Sequence, residues 1–169
     1  ANQAVIGIYA YMKNPNLYSG LLTLLPDLQA DLAYAVEGYT NTYGNIWRWD
    51  ILPTNTEVEA VYGTLNALIG KCNFLLERIA ILEQEVDDED YEKLQQFKGE
   101  ALFARALAYS DLIKMYCKAY DPATAANELG VVLVSSYSNT GTLKRASLKD
   151  SYLFVLDDLA QSATCLDPD

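Results

Sequence analysis

Residues 88–118 read DEDYEKLQQFKGEALFARALAYSDLIKMYCK, and their apolar pattern decides the fold. In the first half only one side is apolar, with Leu94 and Phe97 set among Glu92, Lys93, Gln95, Gln96 and Lys98. From Ala101 to Cys117 apolar residues fall on nearly every side. The spacing predicts one long helix whose second half is covered by neighbours on more than one side. Ala101, Ala104 and Ala108 recur at three- and four-residue steps, where small side chains let another backbone come close. Asp88, Glu89 and Asp90 suit the positive end of a helix, Lys114 and Lys118 its negative end, and Asp121-Pro122 stops the pattern.

Working outward, Thr56 to Leu82 carries a seam of Val58, Val61, Tyr62, Leu65, Leu68, Ile69, Cys72, Leu75, Leu76, Ile79 and Leu82, the periodicity of an amphipathic helix. Thr56 and Glu59 have the capping-box spacing at its start. Nearer the beginning, Val5, Ile8, Tyr9 and Met12 predict a short helix ended by Asn14-Pro15. A second stripe, Leu21, Leu24, Leu25, Leu28 and Leu32, meets Pro26, where a kink or break is expected because proline lacks the amide donor. Beyond the long helix come a loop from Asp121 to Gly130, a short apolar run Val131 to Val134, and a last helix from Ser147. Ser147 and Asp150 repeat the capping spacing, and Leu148, Tyr152, Val155, Leu156, Leu159, Ala160 and Ala163 are its expected buried face. The acidic stretch Glu83 to Asp90 lacks the spacing and glycine of a calcium loop and reads as a solvated turn. The fold expected is all-α: an irregular stack of antiparallel helix pairs, tetratricopeptide-like, with long loops, in one domain over residues 1–169.

Composition narrows the function. With 23 acidic and 12 basic residues the formal net charge is −11, which disfavours nucleic acid and anionic membrane surfaces. No apolar run reaches the length of a membrane span. There is no histidine, so histidine-based triads, dyads and zinc motifs are excluded within the chain. Cys72, Cys117 and Cys165 lie far apart in apolar helical patterns and read as buried free thiols rather than a disulfide or metal site. Arg105, alone on an apolar stretch, is expected to pair with a carboxylate such as Glu100 or Asp111, or with exposed carbonyls of a neighbouring helix. The tyrosines Tyr9, Tyr34, Tyr62, Tyr109, Tyr116 and Tyr152 fall on helical stripes and read as core. No catalytic residue, cofactor or metal is implied.

The segment Gly99 to Leu112, GEALFARALAYSDL, resembles the central helix of the RagB/SusD family, roughly E-A-x-F-L-R-A-x-x-Y-F-x-L, with Ala104 and Ser110 as departures. Upstream, Tyr62 and Asn73 in YGTLNALIGKCNFLLERI resemble that family's Y-x-x-I-x-x-x-N-x-x-L-x-x-I. Downstream, GVVLV resembles G-V-P-L-V with Val132 in place of proline. Arg145-Ala146-Ser147 and YLFVLDDLAQSATCLDPD resemble R-x-S followed by V-Y-x-x-I-x-x-D-L-x-x-A-x-x-L-P. The patterns keep the family's order from Val61 to Leu166. The resemblance implies an outer-membrane, cell-surface, glycan-binding lipoprotein acting beside a TonB-dependent, SusC-like transporter. It also implies that this chain is the N-terminal part of a longer protein whose lipid anchor it lacks.

The resemblance assigns no ligand contacts, so the site is sought in the chemistry of the residues. The loop Tyr39 to Asp50, YTNTYGNIWRWD, holds both tryptophans among tyrosines, amides and charges. Aromatic faces cover the apolar side of a pyranose, while amide, carboxylate and guanidinium groups meet its hydroxyls. Candidate carbohydrate-binding residues are Trp47, Trp49, Tyr43, Tyr39, Asn41, Arg48 and Asp50. A tryptophan between two helices is equally a filler for the gap where they meet, so core roles for Trp47 and Trp49 stay open. The function expected is capture of an oligosaccharide or polysaccharide without cleavage. The alternative is a helical protein-protein interaction scaffold that binds no sugar.

Overall fold

The computed structural model describes residues 1–36, 43–137 and 141–166. Its elements are α1 (Asn2–Met12), α2 (Leu21–Gln29), α3 (Gly44–Trp47), α4 (Thr56–Leu82), α5 (Asp88–Tyr116), β1 (Leu129–Val132), β2 (Arg145–Ser147) and α6 (Leu148–Leu166). The all-α reading stands, with one addition: the end of the loop and the start of the apolar run, Leu129–Val132, form a strand, paired antiparallel in a two-stranded ribbon. Leu129 faces Ser147 and Val132 faces Arg145, a one-residue mismatch that marks a bulge. No described helix is long and apolar enough to cross a membrane.

Two compact units divide the chain, one from Ala10 to Thr64, the other from Ala1–Tyr9 together with Leu65–Asp169. In the smaller, α2 continues through Pro26, where a break was expected. Pro26 lies in the second turn, and the missing donor costs a single ladder bond while Leu22, Leu25 and Leu28 stay buried. The helix ends three residues on, at Gln29, and leads into a left-handed turn: Asp31 has φ 57°, Leu32 N–H donates to the Asp27 carbonyl (2.9 Å) and Asp31 N–H to that of Leu28 (3.4 Å). Leu32 and Tyr34 therefore fall outside the helical stripe and are exposed. At the start of α4 the capping position belongs to Asn55, one residue before Thr56, since the Asn55 carbonyl accepts from Glu59 N–H (3.0 Å). The Asn55 side chain accepts from Leu52 N–H (2.6 Å).

The larger unit is organised around α5. Asp87 caps it, accepting from Asp90 N–H through Oδ1 (3.1 Å), and it ends at Tyr116, short of Lys118, which instead pairs with Glu128 (2.8 Å). Ala101, Leu102, Ala104, Ala106, Ala108, Tyr109, Leu112 and Ile113 are buried, so its second half is covered on several sides as the pattern required. Phe103 is the exception and faces outward.

Arg105 pairs with a carboxylate, as expected, but with neither of the two nearest in sequence. Its partner is Asp158 of α6, through Nε (2.8 Å) and Nη2 (2.7 Å), and not Glu100 or Asp111. Its Nη1 donates to Asn73 Oδ1 on α4 (2.7 Å), and Asn73 Nδ2 donates to the Val134 carbonyl (2.7 Å). Val134 N–H donates to the Tyr109 hydroxyl (2.7 Å), which donates back to the Val134 carbonyl (3.1 Å). Phe154 closes the cluster, with the Arg105 guanidinium 5.2 Å from its ring centre and Tyr109 edge-on at 5.2 Å. The bidentate geometry and full pairing are what a buried guanidinium requires, because an uncompensated charge in the interior costs several kcal/mol (about 3–5).

The inner face of α6 is rotated from the one expected. Leu148, Ser151, Val155, Asp158 and Ser162 are buried, while Leu156, Leu159, Ala160 and Ala163 are exposed. Leu148 and Val155 lie inside as expected, and the rest of the inner face is polar because each polar residue there has a partner: Asp158 holds Arg105, Ser162 donates to the Gly99 carbonyl (2.8 Å), and Ser151 accepts from Val131 N–H (3.0 Å). The capping pair does form, with Asp150 N–H donating to Ser147 Oγ (3.0 Å) and that hydroxyl donating to the Asp150 carboxylate (2.7 Å). Of the six tyrosines read as core, Tyr109 alone is buried; Tyr116 and Tyr152 are half-buried and Tyr9, Tyr34 and Tyr62 are exposed.

Gly130 in β1 sits where no side chain fits: a Cβ there would meet Ser151 Oγ and lie 2.5 Å from the Ser147 carbonyl oxygen. Backbone cannot yield as a side chain can, so Gly130→Ala is expected to cost about 1–3 kcal/mol in urea unfolding. An unchanged midpoint would show that the ribbon and the start of α6 separate freely.

Candidate functional site

The site predicted from the loop falls on and after α3, a single helical turn. Ile46 anchors the turn in the smaller unit, where α3 packs against α2. Tyr43 precedes the turn with φ 61° and is half-buried. Trp47, its last residue, is also half-buried. Arg48 is exposed and donates from Nη2 to Asn45 Oδ1 (3.0 Å), which ties its guanidinium to the turn. Asp50 is exposed. Tyr39 and Asn41 lie outside the described residues.

Trp49 holds the most informative position. Its N–H donates to the Ile46 carbonyl (3.1 Å) and the next amide, Asp50 N–H, donates to the Asn45 carbonyl (2.9 Å). These two bonds form a Schellman motif in which Trp49 occupies the left-handed position, with φ 59°. That position is normally glycine, because a side chain there crowds the backbone at a cost of about 1 kcal/mol or more. Trp49 is nevertheless 65% exposed, so little packing offsets the strain. The bare gap-filler role thus does not describe Trp49, while Trp47 is partly covered. Asn45, absent from the candidate set, has both its carbonyl and its side chain in the turn; the three-residue spacing to Arg48 was the signal for it.

A concavity of about 440 Å³ lies in the larger unit, lined by Tyr116, Cys117, Lys118, Asn127, Glu128, Leu129 and Arg145. Its charged groups serve the fold. Arg145 Nε donates to the Gly130 carbonyl (2.6 Å) and Nη2 to those of Leu129 (3.3 Å) and Tyr116 (3.4 Å), fastening the ribbon to the end of α5. Burial raises the Cys117 thiol pKa, only partly countered by Arg145, so this thiol is not an activated nucleophile. All three cysteines are free; Cys72 is buried, whereas Cys117 and Cys165 are partly exposed, unlike the expectation. Among the described residues no histidine, cysteine or carboxylate cluster could hold a metal ion.

Residues 3–169 match a SusD-like family described as "Starch-binding associating with outer membrane". No curated protein matches. Among solved structures, the chain is similar to a SusD superfamily protein from Bacteroides thetaiotaomicron VPI-5482, with TM-score 0.84 and 21% identity over 98% of this chain and 36% of that one. It is similar also to one from Bacteroides vulgatus ATCC 8482 (TM-score 0.79, 21% identity, 99% and 37% covered) and to one from Bacteroides fragilis (TM-score 0.77, 24% identity, 99% and 39% covered). At these identities the likeness speaks for the fold alone. The chain spans little more than a third of the length of the structures it matches.

Proposed function

We propose, from the premise that this chain belongs to the SusD-like family of starch-binding proteins associating with the outer membrane, that it is the N-terminal helical part of a longer glycan-capture protein. It binds and does not cut: the family is one of carbohydrate-binding, non-catalytic proteins. The full-length protein is lipid-anchored at the cell surface and hands its oligosaccharide or polysaccharide to a TonB-dependent, SusC-like transporter. In this chain the turn from Tyr43 to Asp50 contributes to the glycan site. Tyr39 and Asn41 belong to the same proposed set on sequence grounds. The observation that carries the reading is Trp49, an exposed indole at a strained glycine position, because a sugar ring stacked on its face would account for both features.

The test is calorimetric titration of the full-length protein with a panel of neutral polysaccharides and their oligosaccharides, alongside Trp49→Ala and Trp49→Gly. Both variants are expected to lose about tenfold or more in affinity, about 1.4 kcal/mol. Trp49→Gly should at the same time gain about 1 kcal/mol of stability, since glycine relieves the left-handed strain. Undiminished affinity in both variants would remove the proposed platform and leave protein-protein scaffolding as the better reading.

A further inference from the structure

In the larger unit the segment after β1 is fastened to the helices at two places. Val134 is held by Asn73 and Tyr109. Three residues on, the Ser136 hydroxyl and Tyr137 N–H both donate to Glu77 Oε1 of α4 (2.8 and 2.7 Å). These bonds fix the backbone that carries the Tyr137 ring, which meets Phe74 of α4 edge-on, with ring centres 5.3 Å apart and planes at 72°. Arg78, one turn further along α4, lays its guanidinium 5.4 Å from the centre of the Phe74 ring. Hydrogen bonds alone would hold the segment, and the rings hide little from water: Phe74 is 40% and Tyr137 60% exposed. Single exposed aromatics are ordinary. Two set nearly at right angles on a fixed backbone, beside a cation, form a corner that stays in shape without a ligand, and such preorganisation lowers the entropy cost of binding.

The polar groups at this corner are open. Among the described residues nothing accepts from the Arg78 guanidinium, and nothing engages the Tyr137 hydroxyl. Glu77 offsets the charge of Arg78, so the corner is not a cationic site and favours a neutral, hydroxyl-rich ligand over an anion. We propose that Phe74, Tyr137 and Arg78 form a further carbohydrate platform, in the larger unit and separate in sequence from the turn that carries Trp49. The face of Tyr137 covers the apolar side of a pyranose, Phe74 walls its edge, and Arg78 with the Tyr137 hydroxyl bonds its hydroxyls. The inference rests on the reading of the protein as a glycan-capture protein. A polysaccharide repeats its unit, so a further platform on the same protein slows its escape with no new contact at the first.

The test uses the full-length protein and whichever polysaccharide it binds most tightly from a neutral panel that includes soluble starch. In hydroxyl-radical footprinting at matched radical dose, Phe74 and Tyr137 are expected to oxidise several-fold more slowly with the polysaccharide bound. By calorimetry Tyr137→Ala should lose several-fold in affinity, while Tyr137→Phe, which keeps the ring, retains most of it. Unprotected rings together with undiminished affinity in Tyr137→Ala overturn the platform and leave glycan capture at Trp49 standing. The footprint is read on the native sequence, so it decides the matter even if a variant fails to fold. A native protein that binds no member of the panel overturns both readings, an outcome seen before any substitution is made.

Discussion

Asp158→Ala is expected to destabilise the protein by about 3–5 kcal/mol, the cost of stranding a guanidinium in the interior. Arg105 and Asp158 are almost fully buried, their side chains 9% and 2% exposed, so solvent cannot take over the role of the missing carboxylate. The remaining bond from Arg105 to Asn73 is to a neutral amide and leaves the charge uncompensated. Removing both charges is different in kind. In Arg105→Met with Asp158→Leu no ion is left unpaired, and the double variant should recover a large part of the loss, because desolvating the native pair was itself costly. Urea unfolding of the three proteins checks this. A double variant no more stable than Asp158→Ala would mean that the cluster acts through shape and not through charge compensation.

A second large effect belongs to alkaline solution. Burial pushes the Cys72 thiol pKa up to about 12 from an ordinary value of 9, with Asp158 adding to the shift and Arg105 opposing it. In the unfolded chain the thiol releases its proton near pH 9 while the native thiol keeps it, so between the two values the unfolded state binds fewer protons. Stability is then complete below pH 9 and falls by about 1.4 kcal/mol per unit as the pH rises, about 4 kcal/mol in all by pH 12. Tyr109, pushed up to about 12 from 10 chiefly by burial, acts in the same direction over the upper part of that window. Urea unfolding under reducing conditions from about pH 8 to about pH 11 should give a clearly shallower decline for Cys72→Ala than for the native sequence. Parallel declines would locate the alkaline sensitivity elsewhere.

Helix existence was legible because it rests on periodicity and caps: α4 and α5 start where read, and the Ser147 cap forms as its spacing requires. The sequence motifs containing Asn73, Arg105, Tyr109 and Asp158 were each visible, yet their meeting was not. A bidentate partner 53 residues away leaves no trace in local spacing, and the nearer carboxylates Glu100 and Asp111 were the plausible substitutes. The same blindness misplaced the buried side of α6, where polar groups satisfied by distant partners replaced leucine. At the candidate site the chemistry of the residues was readable, but the left-handed backbone under Trp49 was not. Tryptophan is the last residue that a rule built on glycine would put there.

The distance from Arg105 to Asp158 also fixes an order of events. Whenever the polypeptide appears from its N-terminus, at about 5–20 residues per second during synthesis, the cation arrives seconds before the anion that must neutralise it. Until α6 follows, α4 and α5 hold an arginine that their shared interior cannot accept. The bidentate pair that closes the larger unit can therefore form only once α6, and with it Asp158, has been made.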